Sequence, residues 1–304
     1  MKTIICFFCC FVLQSLLAQN PKTYMLTVGM QHIDAKAYYT NYNKSFDNAA
    51  TSGVPNDIAK MKKIAQRNSH ILTELYNSNA TAAEIKKNIE KIGKIVTEGD
   101  TFIFYFSGHG DVLTDKNGDE ITGFDQALVA YDDFLIDDDI YNLLNQYFKK
   151  TNNVMIVDAC HSSTSYKHNL FFLDFKIGKN NALKHKNEEK AVNAETVQEK
   201  SIEMAGKCEF GRDEDITEAF NLIYIGATED EKTAQGNING GLLTICLDNV
   251  ITSALSTGAW KNYTYPQMAC EVAKRMAQQK QNLQYHEIGI SVDKYAEKTP
   301  FKTF

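Results

Sequence analysis

The sequence has no excess of basic residues. Its 32 lysines and arginines stand against 38 aspartates and glutamates, a net charge of −6. That balance argues against nucleic acid as a main partner, because a phosphate-tracking surface needs surplus positive charge. No internal repeat is visible, which removes solenoids and propellers. Beyond the first twenty residues there is no second long apolar run, so no membrane span is expected in the mature chain. Cysteine is sparse there too, with only Cys160, Cys208, Cys246 and Cys270. Their spacing is neither that of a disulfide scaffold nor the close pairing of a zinc site, which leaves one of them available as a catalytic thiol.

The N-terminus reads as a secretory signal. Lys2 supplies positive charge, Ile4 to Leu17 is nearly all apolar, and Ala18, Gln19, Asn20 and Pro21 end the run. Such a run is short for a membrane span and suits a leader cleaved near Ala18, over residues 1–19. Cys6, Cys9 and Cys10 lie inside the run and offer no lipid anchor. The expectation is a secreted or periplasmic protein with roughly 285 mature residues, one large domain or two small ones.

Strands and helices alternate along most of the chain. Tyr24 to Gly29, Ser69 to Tyr76, Asp100 to Ser107, Asn153 to Asp158 and Phe220 to Gly226 read as strands. Pro55 opens a helix carrying Ile58, Met61, Ile64 and Ala65, and Thr81 caps another that runs to Val96. Further helices are expected over Ile140 to Phe148, Gly241 to Leu255 and from Pro266, with Tyr285 to Val292 as a last strand. This alternation predicts an α/β fold, a three-layer α/β/α sandwich around a mostly parallel sheet. Residues 162–215 break the pattern. They are rich in Lys, Glu and Asn, as in an exposed linker or a lid.

Chemistry gathers where two strands end. One runs into Ser107-Gly108-His109-Gly110 and the other into Asp158-Ala159-Cys160-His161. In a sheet of this type ligands sit beyond the carboxyl ends of the strands. A thiol with an ordinary pKa near 8.5 needs an imidazole to take its proton, so His109 and Cys160 form a candidate nucleophile and base. The amides of Gly110 and Cys160 are candidate oxyanion donors. No third acid is evident, and a backbone carbonyl could orient His109 instead. His161 should face away from Cys160 across the strand and is given a structural role.

These boxes resemble those of metacaspases, within the caspase and hemoglobinase group of cysteine peptidases. That family carries Ser-Gly-His-Gly after one strand and Asp-x-Cys-His-Ser-Gly after the next. Here the second box reads Asp158-Ala159-Cys160-His161-Ser162-Ser163, with serine where glycine is usual. The separation of 51 residues between His109 and Cys160 is also caspase-like. Further resemblance lies at Gly53-Val54-Pro55-Asn56-Asp57, at Ile225 to Asp230 and at Gly240-Gly241-Leu242-Leu243-Thr244. It implies a caspase-like domain with a large-subunit-like part at 20–161 and a small-subunit-like part at 216–304.

The resemblance further implies cleavage of peptide or protein substrates after Lys or Arg, with Asp57 and Asp158 lining the S1 pocket. An acid two residues from the nucleophile would raise its pKa unless a substrate cation sat beside it. Helix-start capping by Asp57 and a strand-end turn at Asp158 are the structural alternatives. No cofactor is required by this chemistry. Calcium is possible on Asp132, Asp137 and Asp138, although Lys167 stands where the family has a fourth ligand. The alternative is a solvated acidic face with Asp137 as a helix cap. Asn117-Gly118 reads as a hairpin turn rather than a calcium loop. Self-processing after a basic residue between Lys176 and Lys207 would follow from the family's habit of maturing between its two parts. The other readings are a weakly catalytic module that holds basic peptides, and a gingipain- or legumain-type peptidase.

Overall fold

The computed structural model describes residues 20–114, 124–161, 220–227, 234–289 and 291–302. The leader over 1–19, the Asn117-Gly118 turn, Lys167 and the whole 162–215 segment lie outside the described residues. Strand β1 (Thr23–Gly29) is followed by helices α1 (Ala35–Tyr42) and α2 (Val54–Arg67). Then come β2 (Ile71–Tyr76), α3 (Ala82–Gly93), β3 (Thr101–Thr114), β4 (Phe124–Val129) and β5 (Phe134–Ile136). Helix α4 (Asp137–Tyr147), β6 (Asn152–His161) and β7 (Asn221–Gly226) complete the centre. The remainder is a small ribbon of β8 (Gly236–Asn237) and β9 (Gly240–Gly241), then α5 (Leu242–Ser256), α6 (Tyr265–Ala277), β10 (Gln284–Ile288) and α7 (Val292–Ala296).

The main sheet runs β10-β7-β6-β3-β1-β2, with β4 and β5 added beside β3. Strands β2, β1, β3, β6 and β7 are mutually parallel, while β10 pairs antiparallel with β7, β4 with β3 and β5 with β4. Both faces are covered, which is why the strands read as unbroken apolar runs. Phe102, Phe104 and Phe106 of β3 pack on one face with Ile85, Ile89 and Ile140 from α3 and α4. Ile103 and Tyr105 pack on the other with Met61, Leu247 and Met268 from α2, α5 and α6. This is the three-layer α/β/α sandwich with a mostly parallel sheet that the alternation predicts.

Two local expectations are corrected. His109 is not at a strand end, because β3 continues for seven residues beyond Ser107. Its β1 neighbour stops at Ser107, and from Gly110 the strand β4 takes the side that β1 has left. The last strand ends at Ile288, and Val292 begins a helix instead. Of the cysteines, Cys270 on α6 is disulfide-bonded while Cys246 on α5 is free and buried. No helix among the described residues is long and apolar enough to cross a membrane.

Candidate active site

The sheet places the two reactive residues side by side. β3 and β6 pair in parallel from Thr101 and Asn152 onward, and in that register His109 stands opposite Cys160. Neighbouring strands are about 4.8 Å apart, so the residues are adjacent although far apart in sequence. Gly110 stands opposite His161 on one side and Leu128 on the other. Gly108 and His109 fall in the gap between the end of β1 and the start of β4. The nucleophile and base candidates thus meet at a step in the sheet.

The imidazole is held by backbone. His109 Nε2 lies 3.0 Å from the Asp47 carbonyl oxygen. A carbonyl can only accept, so Nε2 carries the proton and Nδ1 is the basic nitrogen. The ring is buried and tilts against Phe46 with centroids 5.4 Å apart. Burial lowers its pKa below the ordinary value, partly offset by the Asp47 carbonyl and by the charges of Asp47 and Asp111. A neutral, oriented imidazole is the form a general base requires.

The segment carrying Phe46 and Asp47 was not foreseen as part of a site, and its placement follows from α1. Asp34 caps that helix by accepting from the amides of Lys36 and Ala37, and Asn43 ends it in the left-handed region. Lys44 then donates to Asp111 Oδ2 and to the Val112 carbonyl, which fixes the chain against β3 two residues past His109. Tyr38, Phe46 and Phe134 form edge-to-face contacts beneath it. The Asp34 cap followed by Tyr38 and Tyr42 at helical spacing was the sequence signal available.

The two acids expected at S1 come together. Ser107 stands opposite Asp158 in the β3–β6 register, on the face covered by α2 and α5. Asp57, in the first turn of α2, accepts from Ser107 Oγ at 2.9 Å and from the Gly241 amide at 3.0 Å to each carboxylate oxygen. Asp158 accepts from the Thr244 amide at 2.8 Å and its hydroxyl at 2.6 Å. Thr244 Oγ1 is in turn 2.7 Å from the buried Tyr105 hydroxyl. Asp57 makes no cap on its own helix, whereas Asp158 does cap the first turn of α5 from a different element. Neither structural alternative, helix-start capping by Asp57 or a strand-end turn at Asp158, describes what these acids do.

Both carboxylates are buried, and burial raises both pKa values. Asp57 is pushed up to about 7 by desolvation and then by the neighbouring Asp158. Lys60 pulls both down again. The pair therefore holds a proton near neutrality unless a cation joins it.

A glycine ribbon closes over the acids. Gly240 has φ +134, and a Cβ there would lie 2.1 Å from Asp57 Oδ1; one on Gly241 would lie 2.3 Å from Asp158 Oδ2. Only a chain without side chains threads between the two carboxyls. The ribbon is tied to α2 by Asn56 Nδ2 donating to the Ile238 carbonyl at 2.7 Å and by Lys60 Nζ donating to the Asn239 carbonyl at 2.5 Å. The cavity beside the acids is about 30 Å³, room for a water but not for a lysine or arginine side chain. The space between the acids expected at S1 is therefore too small for such a side chain.

The acids expected to bind calcium separate. Asp132 accepts from the Ala82 amide at 3.0 Å and so serves the start of α3. Asp137 is buried at the start of α4, with Oδ1 lacking a hydrogen-bond partner. Burial, then Asp138 and Asp125, push its pKa up to about 8. Among the described residues no group of three or more His, Cys, Asp or Glu is placed to hold a metal ion. The triad of Asp132, Asp137 and Asp138 does not fit a calcium ion, and no step is routed through one.

A sheet of this order, flanked by helices and carrying histidine and cysteine on adjacent parallel strands, defines a caspase-like α/β protein. The crystal structure of protein GSU0716 from Geobacter sulfurreducens superposes with a TM-score of 0.65, covering 93% of this chain and all of that one at 21% identity. Caspase-1 from Spodoptera frugiperda superposes at 0.55, covering 92% of each chain at 10% identity. Residues 40–296 match the caspase domain, and the chain belongs to that family of cysteine peptidases. Metacaspase-2 of Arabidopsis thaliana is 42% identical over 73 residues, 22% of this chain and 17% of that protein. Metacaspase-4 of the same plant is 29% identical over 138 residues, 42% of this chain and 33% of that protein. The matches thus span a third or less of these relatives' lengths.

Proposed function

We propose that the protein is a cysteine endopeptidase that cleaves after lysine or arginine through a His109–Cys160 dyad. The observation that carries this reading is the opposed register of His109 and Cys160, with the imidazole oriented by the Asp47 carbonyl. His109 Nδ1 takes the thiol proton, and the thiolate attacks the scissile carbonyl carbon. The oxyanion is received by the amides of Gly110 and Cys160. The C–N bond breaks as His109 returns the proton to the leaving amine, and water then hydrolyses the thioester. No cofactor enters these steps.

Asp57 and Asp158 favour a basic P1 residue, because a cation between them replaces the proton they otherwise share. The ribbon over residues 236–241 must move for that side chain to enter. Export is supported by the leader-like N-terminus and by the disulfide at Cys270, which suits an oxidising compartment. Self-processing between Lys176 and Lys207 belongs to the same reading. The test is labelling of Cys160 by an electrophilic peptide ending in arginine, together with a positional-scanning substrate library. Labelling should vanish in His109→Ala, and a library preference for aspartate at P1 would defeat the S1 assignment. A module that merely holds basic peptides would bind the library and release it uncut.

A further inference from the structure

The ribbon over residues 236–241 has a second face. Gln235, Gly236, Asn237 and Gly240 line the small acid-walled cavity and also a separate cleft of about 440 Å³ on the other side. The far wall of that cleft comes from α5, through Cys246 and Asn249, and from the end of α6, through Arg275, Gln278 and Gln279. Among the described residues, Arg275 is the only charged one in this lining and none contributes a carboxylate. Among the described residues its guanidinium forms no ion pair or hydrogen bond, although its charge lowers the Cys246 thiol pKa against the effect of burial. A half-buried guanidinium surrounded by carboxamides and left without an acid suits a carboxylate, which accepts from both kinds of donor.

The position of the cleft gives such a ligand a consequence. The S1 cavity can admit a lysine or arginine only if its wall gives way, and the empty cleft is the space behind that wall. We propose that the cleft is a carboxylate-binding regulatory site, and that an acidic peptide seated on Arg275 holds the ribbon against Asp57 and Asp158 and keeps S1 closed. The inhibitory half rests on the assignment of Asp57 and Asp158 to S1; the binding half does not.

Acetyl-tetraglutamate amide serves as the probe. Calorimetry on the Cys160→Ala protein should detect its binding, and Arg275→Gln should weaken that binding about tenfold or more, the usual loss for a charge-assisted hydrogen bond. Arg275→Lys should restore part of it. With active enzyme, the same peptide should raise KM for a neutral substrate ending in arginine and leave kcat unchanged, and Arg275→Gln should be insensitive. A tetraglutamine control should do neither. Equal binding to wild type and Arg275→Gln, or none at millimolar peptide, overturns the site. Binding that leaves KM unchanged overturns its coupling to S1. If no basic substrate is cut at all, the peptidase reading has failed, and calorimetry still decides the carboxylate site.

Discussion

Asp57 and Asp158 reach opposite sides of one glycine pair, Gly240-Gly241, and each acid accepts from a backbone amide of that strand or of the helix turn following it. The arrangement joins ribbon position and proton occupancy in one place. Replacing Asp158 or Asp57 by alanine should weaken cleavage after arginine by about 2–4 kcal/mol, as for a buried cation that loses its partner. Comparison of kcat/KM for arginine and glutamine at P1 checks this. A loss shared equally by both substrates would mean that the acids support structure alone.

The shared proton gives a pH signature with a definite sign. The native pKa of Asp57 is about 7, against an ordinary value of 3.8. Between those values the folded chain holds a proton that the unfolded chain has released, so this group's contribution to stability falls as pH rises. Tm of wild type should therefore drop more steeply over that window than Tm of Asp57→Asn. KM for an arginine substrate should move the opposite way and improve as pH rises through about 7, as the pair ionises. Parallel Tm profiles would remove the buried proton.

The dyad should control rate and leave folding alone. Cys160→Ala exchanges one small side chain for another and should abolish amide hydrolysis with Tm within a few degrees of wild type. Replacing Lys44 by methionine should release the segment that presents the Asp47 carbonyl. We expect kcat to fall about tenfold or more with KM little changed, because only the orientation of His109 is lost. A change confined to KM would place Lys44 at the substrate instead.

Much of this was legible from local sequence. The sandwich followed from strand and helix periods, and the neighbouring placement of His109 and Cys160 from two short boxes, because a buried parallel strand leaves both signals in contiguous residues. The Asp47 carbonyl was not legible, since any residue has one and only the tertiary path of residues 43–47 gives it a role. The ribbon was equally hidden. Gly240-Gly241 was visible as a motif, yet its meaning lies in Asp57, 184 residues away from Gly241. The bond from Asp132 to the start of α3 was hidden for a related reason: an acid in an acidic stretch carries no mark of which helix it serves.

Asp132→Ala should behave as a lost helix contact. Removal of an acceptor at the start of α3 typically destabilises by about 1 kcal/mol. The fall in Tm should be the same in chelator and in millimolar calcium. A fall seen only with calcium present would return Asp132 to a metal site.

Wild type should mature into two pieces that run separately on a denaturing gel, whereas Cys160→Ala should remain one band. The pieces should co-elute under native conditions, because β6 and β7 pair over Asn152 to Val157 and Asn221 to Gly226. An intact wild type with full activity would rule out self-processing.

The bond between Asp158 and Thr244 spans 86 residues and is what fixes the acid in place. During synthesis, the thiol and its imidazole leave the ribosome well before this threonine and the glycine ribbon do. A nascent chain thus carries His109, Cys160 and both buried acids before it has the glycine ribbon that closes over those acids. The cover arrives after what it covers, so a truncated or stalled product ending before Gly240 leaves Asp57 and Asp158 without the ribbon and without the amides of Gly241 and Thr244.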